Sequence, residues 1–262
     1  MKHKGENKKN QIFVGIADIA NRDSRVRNPA YRKRMYESAY RFDFAKYGGE
    51  LSLHQANQIV AEQKRVITTF LSPDFQNKTV GTLQGRDLIL SFNSTRKEKS
   101  ADFQYELIPK NSLLDVFVSD ARELGRFAQY LYQEMLPKVR LWIHWHEYVI
   151  GGVPDGVGDD YAYEFKVTTQ ANIEKQKDVA WRQAQLYAYM FRRPKIRTQI
   201  AKFNVPGFPV KIRDLPNSII TIIDAPASEH DAQVILTEFD NAFRKLWSLS
   251  KPEQAELNRR VA

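Results

Sequence analysis

The sequence predicts an α/β fold: a small mixed β-sheet flanked by helices, with a mainly helical region in front of it. Two observations carry that prediction. From Ser119 onward the apolar residues switch repeatedly between helical and strand periodicity, in the order α-β-β-α-β-β-α. The 262 residues are 42% hydrophobic and 27% charged, a balance that supplies a packed core rather than a disordered chain.

Residues 1–10, MKHKGENKKN, are polar and lysine-rich and read as a flexible basic tail. Residues 11–110 form the mainly helical N-terminal region. Within it, residues 29–47 have helical spacing, with Tyr36, Tyr40, Phe44 and Tyr47 on one face and Arg32, Lys33, Arg34 and Arg41 interleaved. An amphipathic helix that buries its aromatics is favoured there over a base-stacking surface. A second helix is predicted over Leu53–Leu71, and alternating runs at Thr79–Leu83 and Asp87–Phe92 suggest a hairpin. Residues 94–101 read as a charged loop.

The core is expected over residues 111–250, with residues 251–262 as a C-terminal tail. Asp120 is placed to cap a helix, with Glu123 three positions on. Leu124, Phe127, Ala128, Leu131 and Met135 then recur at helical spacing up to Pro137. RLWIHWHEYVI reads as one alternating strand, with His144 and His146 on one face and Gly151-Gly152 as a break. There follow a strand over Tyr161–Val167, a helix from about Asn172 to Phe191, strands over Arg197–Val205 and Ser218–Asp224, and a helix from about Glu229 to Leu249.

Cysteine is absent, which excludes disulfides, thiolate zinc sites, iron–sulfur clusters and cysteine nucleophiles. No apolar run approaches the roughly 18–20 residues that span a bilayer, and no signal-peptide pattern follows the basic N-terminus. A soluble cytoplasmic protein without a membrane partner is expected. The net charge of +9 and the pI near 9.5 favour polyanions, nucleic acid first among them.

The segment GVPDGVGDDYAYEFKVTT carries the chemistry. Strand alternation projects Glu164 and Lys166 to one side and Phe165 to the other. Asp155, nine residues before Glu164, lies across a turn rich in glycine and aspartate, and folding that turn brings the two carboxylates together. Two hard oxygen ligands repel unless a cation sits between them. Mg²⁺ or Mn²⁺ suits carboxylates, water and a phosphate oxygen, with the backbone carbonyl of Phe165 as a further ligand. Such a metal polarises a phosphodiester and acidifies the attacking water, while Lys166 orients that water or offsets transition-state charge.

Pro154-Asp155 and Glu164-Phe165-Lys166 resemble the signature of the PD-(D/E)XK nuclease superfamily. RQAQLYAYM then sets Gln183 and Tyr187 four apart on one helical face, which looks like the Gln-x-x-x-Tyr motif of its RecB-like exonuclease group. Gln185 and Tyr189 share that spacing, but Gln183 is preferred because its register leaves Leu186 and Met190 for packing. The group includes RecB-type nuclease domains, CRISPR-adaptation exonucleases and RecE-like phage exonucleases. The resemblance covers about residues 115–250 and implies a restriction-endonuclease-like core. It also implies that Asp155, Glu164, Lys166, Gln183 and Tyr187 are catalytic. The implied activity is metal-dependent hydrolysis of DNA in recombination, repair or mobile-element replication, beside a recombination, CRISPR or phage partner protein. Finally, it implies an upstream Gly-x-x-x-His helix whose histidine helps hold the metal. Gly125 is in the expected place but Gln129 replaces the histidine, which leaves Gln129, or Glu134 further along, as the expected ligand.

Lys175, Lys177 and Arg182, with Arg192 and Arg193, lie on or beside the helix bearing Gln183 and are expected to grip DNA phosphates. Thr168 and Thr169 are placed to bond a phosphate or to cap that helix. Two other readings stay open: a non-cleaving DNA-binding module with a degenerate nuclease fold, and a restriction or structure-specific endonuclease whose N-terminal region recognises the target.

Overall fold

A computed structural model describes residues 12–21, 51–72, 88–93, 104–109, 114–169, 173–215 and 219–248. The helix expected over residues 29–47, the run at Thr79–Leu83, the loop at 94–101 and both tails lie outside the described residues. Within the described residues the fold is mixed α/β, with helices packed around several small sheets.

Strand β1 (Ile12–Gly15) runs directly into the short helix α1 (Ile16–Ala20), and helix α2 (Leu53–Leu71) has the predicted bounds. A capping box closes its first turn: the Gln55 N–H donates to Ser52 Oγ, and the Ser52 N–H donates to Gln55 Oε1. Strand β2 (Leu88–Asn93) coincides with the expected run Asp87–Phe92 and pairs antiparallel with β3 (Gln104–Pro109). Among the described residues before position 110 the chain thus carries both helix and strand. β1 runs parallel to β6 (Tyr148–Gly152), so one sheet takes strands from both sides of position 110.

Strand β4 (Phe117–Val118) precedes helix α3 (Ala121–Tyr132), which starts at Asp120 as expected. The Asp120 carboxylate accepts the N–H groups of Arg122 and Glu123, both at 2.8 Å. Glu123 reaches one residue past the capping-box position, to the Ser119 N–H at 2.7 Å. Residues 140–150 are not one strand. Strand β5 (Leu141–Trp145) folds back on β6 through a turn in which His146 adopts φ 51°, so His144 and His146 share no strand face. Gly151-Gly152 is part of β6 rather than a break, because close packing demands glycine there: a Cβ on Gly151 would lie 1.6 Å from the Trp142 ring.

The largest sheet runs in the order β11 (Ile219–Pro226), β9 (Lys195–Lys202), β8 (Tyr161–Thr168), β7 (Gly156–Val157). β8 and β9 are parallel, and helix α4 (Glu174–Phe191) makes the crossover between them. The outer pairs are antiparallel. A two-residue strand β10 (Val210–Lys211) pairs with β4, and helix α5 (Glu229–Ser248) packs beside α4.

The pleat of β8 gives it two cores. Tyr163 and Phe165 pack with Leu124 and Ala128 of α3, whereas Ala162 packs with Ala184 and Tyr187 of α4 and Ile196 of β9. Any polar side chain at an even-numbered position of β8 therefore faces α4.

Alanine at Gly151 must displace the Trp142 ring, and overpacking of that kind costs on the order of 1–3 kcal/mol. Guanidinium unfolding of Gly151→Ala is expected to show that loss. Gly125→Ala, where a Cβ meets nothing within 4 Å, is the control and gains stability from helix propensity. Equal midpoints for wild type and Gly151→Ala would refute the packing.

Candidate active site

The turn between β7 and β8 lays Asp155 along β8. Asp155 Oδ2 accepts the Phe165 N–H at 2.9 Å, which pins the carboxylate to the strand one residue from Glu164. The Asp155 carbonyl in turn accepts Gln133 Nε2 at 3.2 Å. Glu164 and Lys166 project together from β8 towards α4, and Lys166 Nζ donates to Glu164 Oε1. Glu164 is 4% exposed. Burial pushes its carboxyl up to about 8; the Asp155 charge adds to the rise, while Lys166 and Lys138 oppose it.

Helix α4 closes the site from above. Tyr187 Oη donates to the Val153 carbonyl at 3.0 Å. Burial, then the charges of Glu164 and Asp155, hold its phenol well above the usual tyrosine range. Gly152 lies directly under that hydroxyl, where a Cβ would come within 2.6 Å of it. Gln183, one turn earlier, is buried, and its Oε1 has no hydrogen-bond partner among the described residues. The second pair of the same spacing does something else. Gln185 accepts the Ser228 N–H at 2.9 Å and donates to the Pro226 carbonyl, while Tyr189 accepts Gln233 Nε2 at 3.1 Å. Gln185 and Tyr189 thus fasten α4 to β11 and α5.

Other expected residues are not brought to the carboxylates. The Glu134 carboxylate accepts the Tyr161 hydroxyl at 2.6 Å and the Arg197 guanidinium at 3.3 Å, over the face of β8 opposite Glu164. Gln129 is exposed on α3, the helix that covers Tyr163 and Phe165 on that same opposite face. Glu134, just past the end of α3, is thus engaged by Tyr161 and Arg197, and no contact joins it or Gln129 to Asp155 or Glu164 among the described residues.

The expected DNA contacts divide similarly. Arg182 is engaged by Asp178 at 3.1 Å and Glu238 at 2.9 Å, tying α4 to α5 rather than reaching outward. Lys177 pairs with Glu174 at 2.8 Å, whereas Lys175 is exposed. Thr168 is buried at 5% exposure. Neither threonine caps α4, whose N-cap residue Ile173 makes no side-chain cap bond. Arg193 bonds the Gly158 carbonyl and Asn57, bracing the hairpin against α2.

One residue of the site was missed from the sequence. Lys138, between α3 and β5, is half-buried; desolvation holds its pKa below the usual lysine range, while the charges of Asp155 and Glu164 oppose that fall. Its Nζ donates to Gln133 Oε1 at 3.3 Å. A lysine after a helix-stopping proline has no distinctive spacing, so no motif points to it.

Among the described residues no three His, Asp or Glu side chains form a metal-holding group. The donors present are two carboxylates, Asp155 and Glu164, with the Phe165 carbonyl on the same strand. That hard-oxygen set fits a cation such as Mg²⁺, which takes one or two carboxylates and keeps several waters. The burial of the Glu164 carboxylate, with the Asp155 carboxylate pinned to the same strand one residue away, is the observation in favour of the fit.

The sign of the pH effect is set by the raised carboxyl. Folding lifts Glu164 from its ordinary 4.5 to about 8, so the folded state binds the proton more tightly, and this contribution to stability is lost as pH rises through that interval. Glu164→Gln is expected to flatten the thermal-stability profile between pH 5 and about 8.5 and to gain on the order of 1–2 kcal/mol at its alkaline end. Superimposable profiles for variant and wild type would refute the buried carboxylate.

Comparison with protein-family models, with curated proteins and with solved structures found no match for the chain.

Proposed function

We propose that the chain is a Mg²⁺- or Mn²⁺-dependent deoxyribonuclease of the exonuclease type that hydrolyses DNA phosphodiesters. The observation that carries this reading is the buried Glu164 carboxylate, held beside Asp155 and Lys166 on the α4 side of β8. Burying a carboxylate costs several kcal/mol even when it is paired, and titratable groups perturbed in this way cluster at functional sites.

Asp155 and Glu164 would hold the divalent cation, with the Phe165 carbonyl beside them. When bound, that cation supplies Lewis-acid polarisation of the phosphate and a more acidic water. The rest belongs to the chain itself. The Phe165 N–H fixes one Asp155 oxygen and so orients the carboxylate. Lys166 places an ammonium where negative charge grows on the phosphate. Tyr187 holds the Val153 carbonyl and thereby the strand that enters the hairpin. The net charge of +9 favours a polyanionic substrate.

The exonuclease subclass is supported by Tyr187, on which both site carboxylates act, with the buried Gln183 one turn earlier on α4, and recombination, repair or mobile-element replication is the setting that accompanies it. A restriction-endonuclease-like core, a cytoplasmic location and a recombination, CRISPR or phage partner belong to the same proposal. A second reading has its own observation: Glu134 is engaged by Tyr161 and Arg197 and Gln129 is exposed, which favours a DNA-binding module that does not cut.

The test incubates purified protein with end-labelled linear DNA and closed circular DNA, in Mg²⁺, Mn²⁺ or chelator. Loss of linear DNA, sparing of circles and arrest by chelator are expected. Asp155→Ala, Glu164→Ala and Lys166→Ala should each lower the rate by about a hundredfold to a thousandfold while remaining folded. Wild-type cutting by any of the three sinks the assignment. Salt-sensitive binding without cutting favours the module, and nicking of closed circles favours an endonuclease.

A further inference from the structure

The largest sheet ends in two unlike edges. At one end lies β7, two residues long and too short to template another chain. At the other lies β11, whose eight residues pair with β9 in unbroken register and whose outer edge has no neighbouring strand among the described residues. Edge strands in natural folds are blunted by lysine, proline, a bulge or shortness. From Ile219 to Ile223 this one carries none of these. Ile219 and Ile222 are instead more than half exposed, at 54% and 56%, with Ile220 and Ile223 exposed beside them. Alternation puts Ile220 and Ile222 on one face of the sheet and Ile219 and Ile223 on the other, so an edge partner must cover isoleucine on both faces.

The order of the residues identifies that partner. Ile219-Ile220-Thr221-Ile222-Ile223 reads the same in both directions about Thr221. Two copies of an edge strand related by a two-fold axis perpendicular to the sheet pair antiparallel, with the same face of each sheet pointing the same way. With the axis at Thr221, Ile219 falls opposite the partner's Ile223 and Ile220 opposite the partner's Ile222. Isoleucine then meets isoleucine on both faces, and threonine meets threonine on the axis. Moving the axis to Ile222 would instead set Ile220 opposite the partner's Asp224. Charge also permits the pairing. Two copies with a net charge of +9 repel elsewhere, but β11 carries no charge before Asp224, which Arg197 engages at 2.7 Å. Area sets the strength: one strand edge falls short of the roughly 1,200 Å² that a stable interface buries, so the pair forms reversibly.

We propose that the outer edge of β11 docks a second copy of this chain, antiparallel and in register about Thr221, which joins two four-stranded sheets into one continuous sheet. Because the two-fold axis leaves each face where it was, both Glu164 carboxylates lie on the same face of the joined sheet. No residue of the Asp155–Glu164 site takes part, so the dimer stands whether or not the chain cuts DNA.

The experiment follows wild type and Ile222→Lys by sedimentation equilibrium across a concentration series, and oxidises cysteine variants to disulfides. The chain has no cysteine, so any crosslink reports the introduced thiols alone. Wild type is expected to pass from monomer to dimer with a Kd on the order of ten micromolar. Ile222→Lys, at an exposed position, should weaken the dimer roughly tenfold or more and leave the melting temperature of dilute protein unchanged. Thr221→Cys should crosslink, because residues paired on the axis stand about 4.5–5.5 Å apart at Cα, within disulfide reach. Ile219→Cys alone should not, since its two copies lie about 13 Å apart along the strands, whereas Ile219→Cys combined with Ile223→Cys should. A wild type that stays monomeric throughout overturns the proposal and leaves the edge to an extended segment of another protein. A dimer that Ile222→Lys does not weaken puts the interface elsewhere and overturns it too. So does failure of Thr221→Cys to crosslink, or crosslinking of Ile219→Cys to the same extent. If Ile222→Lys does not fold, the crosslinking series decides alone.

Discussion

A strand covered on both faces must either be apolar throughout or give a reason for each polar side chain it buries, and β8 is that strand. Its neighbours β7 and β9 take its edges, α3 takes the face bearing Tyr163 and Phe165, and α4 takes the other. Period-two alternation then fixes the face of every remaining side chain on the strand. With Tyr163 and Phe165 committed to the α3 side, Glu164 and Lys166 go under α4, away from bulk water. The position of the chemistry is thus a consequence of the core packing, because a one-residue slip of β8 would exchange the aromatics for the charges.

The charges under α4 tolerate one another only because each has a specific counterpart. Glu164 would repel Asp155 alone, and burial already lifts its carboxyl to about 8. Lys166 and Lys138 offset this from two directions, one from the same strand and one from the segment before β5. The backbone contributes too, since the Phe165 N–H donates to an Asp155 oxygen that would otherwise add its full charge to the site. Tyr187 and Gly152 seal the top, a close approach of hydroxyl to backbone that a side chain at 152 would prevent.

Much of this was legible because it depends on local periodicity. The bounds of α2, the Asp120 cap and the strand bearing Glu-Phe-Lys follow from spacing and capping chemistry within a dozen residues. Pairings across long separations were not legible. β1 reaches β6 across more than a hundred residues of chain, and nothing in IFVG names its partner. The β5–β6 turn was hidden because His146-Glu147 lacks the glycine or asparagine that usually marks a tight turn; instead His146 itself takes the positive φ. Lys138 was missed for the same reason as β1, because its place in the site is set by Gln63, 75 residues away.

The helix face of α4 shows how one motif can occur twice with opposite meanings. Gln183–Tyr187 and Gln185–Tyr189 are identical in spacing, and sequence distinguishes them only through what each register leaves for packing. In the fold they lie about 200° apart around the helix, so one pair must look into the β8 face and the other towards α5. The outward pair has partners, with the buried Gln185 bonded to Ser228 and Pro226 and the half-buried Tyr189 to Gln233, as polar groups in a structural role should be. The inward pair is not, since Gln183 keeps a buried oxygen without a partner among the described residues, at a cost of about 1–3 kcal/mol. A fold that bonds one glutamine at both ends of its amide and leaves its neighbour's oxygen short, two residues away on the same helix, places that deficit on the helix face of Tyr187, on which Asp155 and Glu164 act. Structural packing alone gives no reason for that asymmetry.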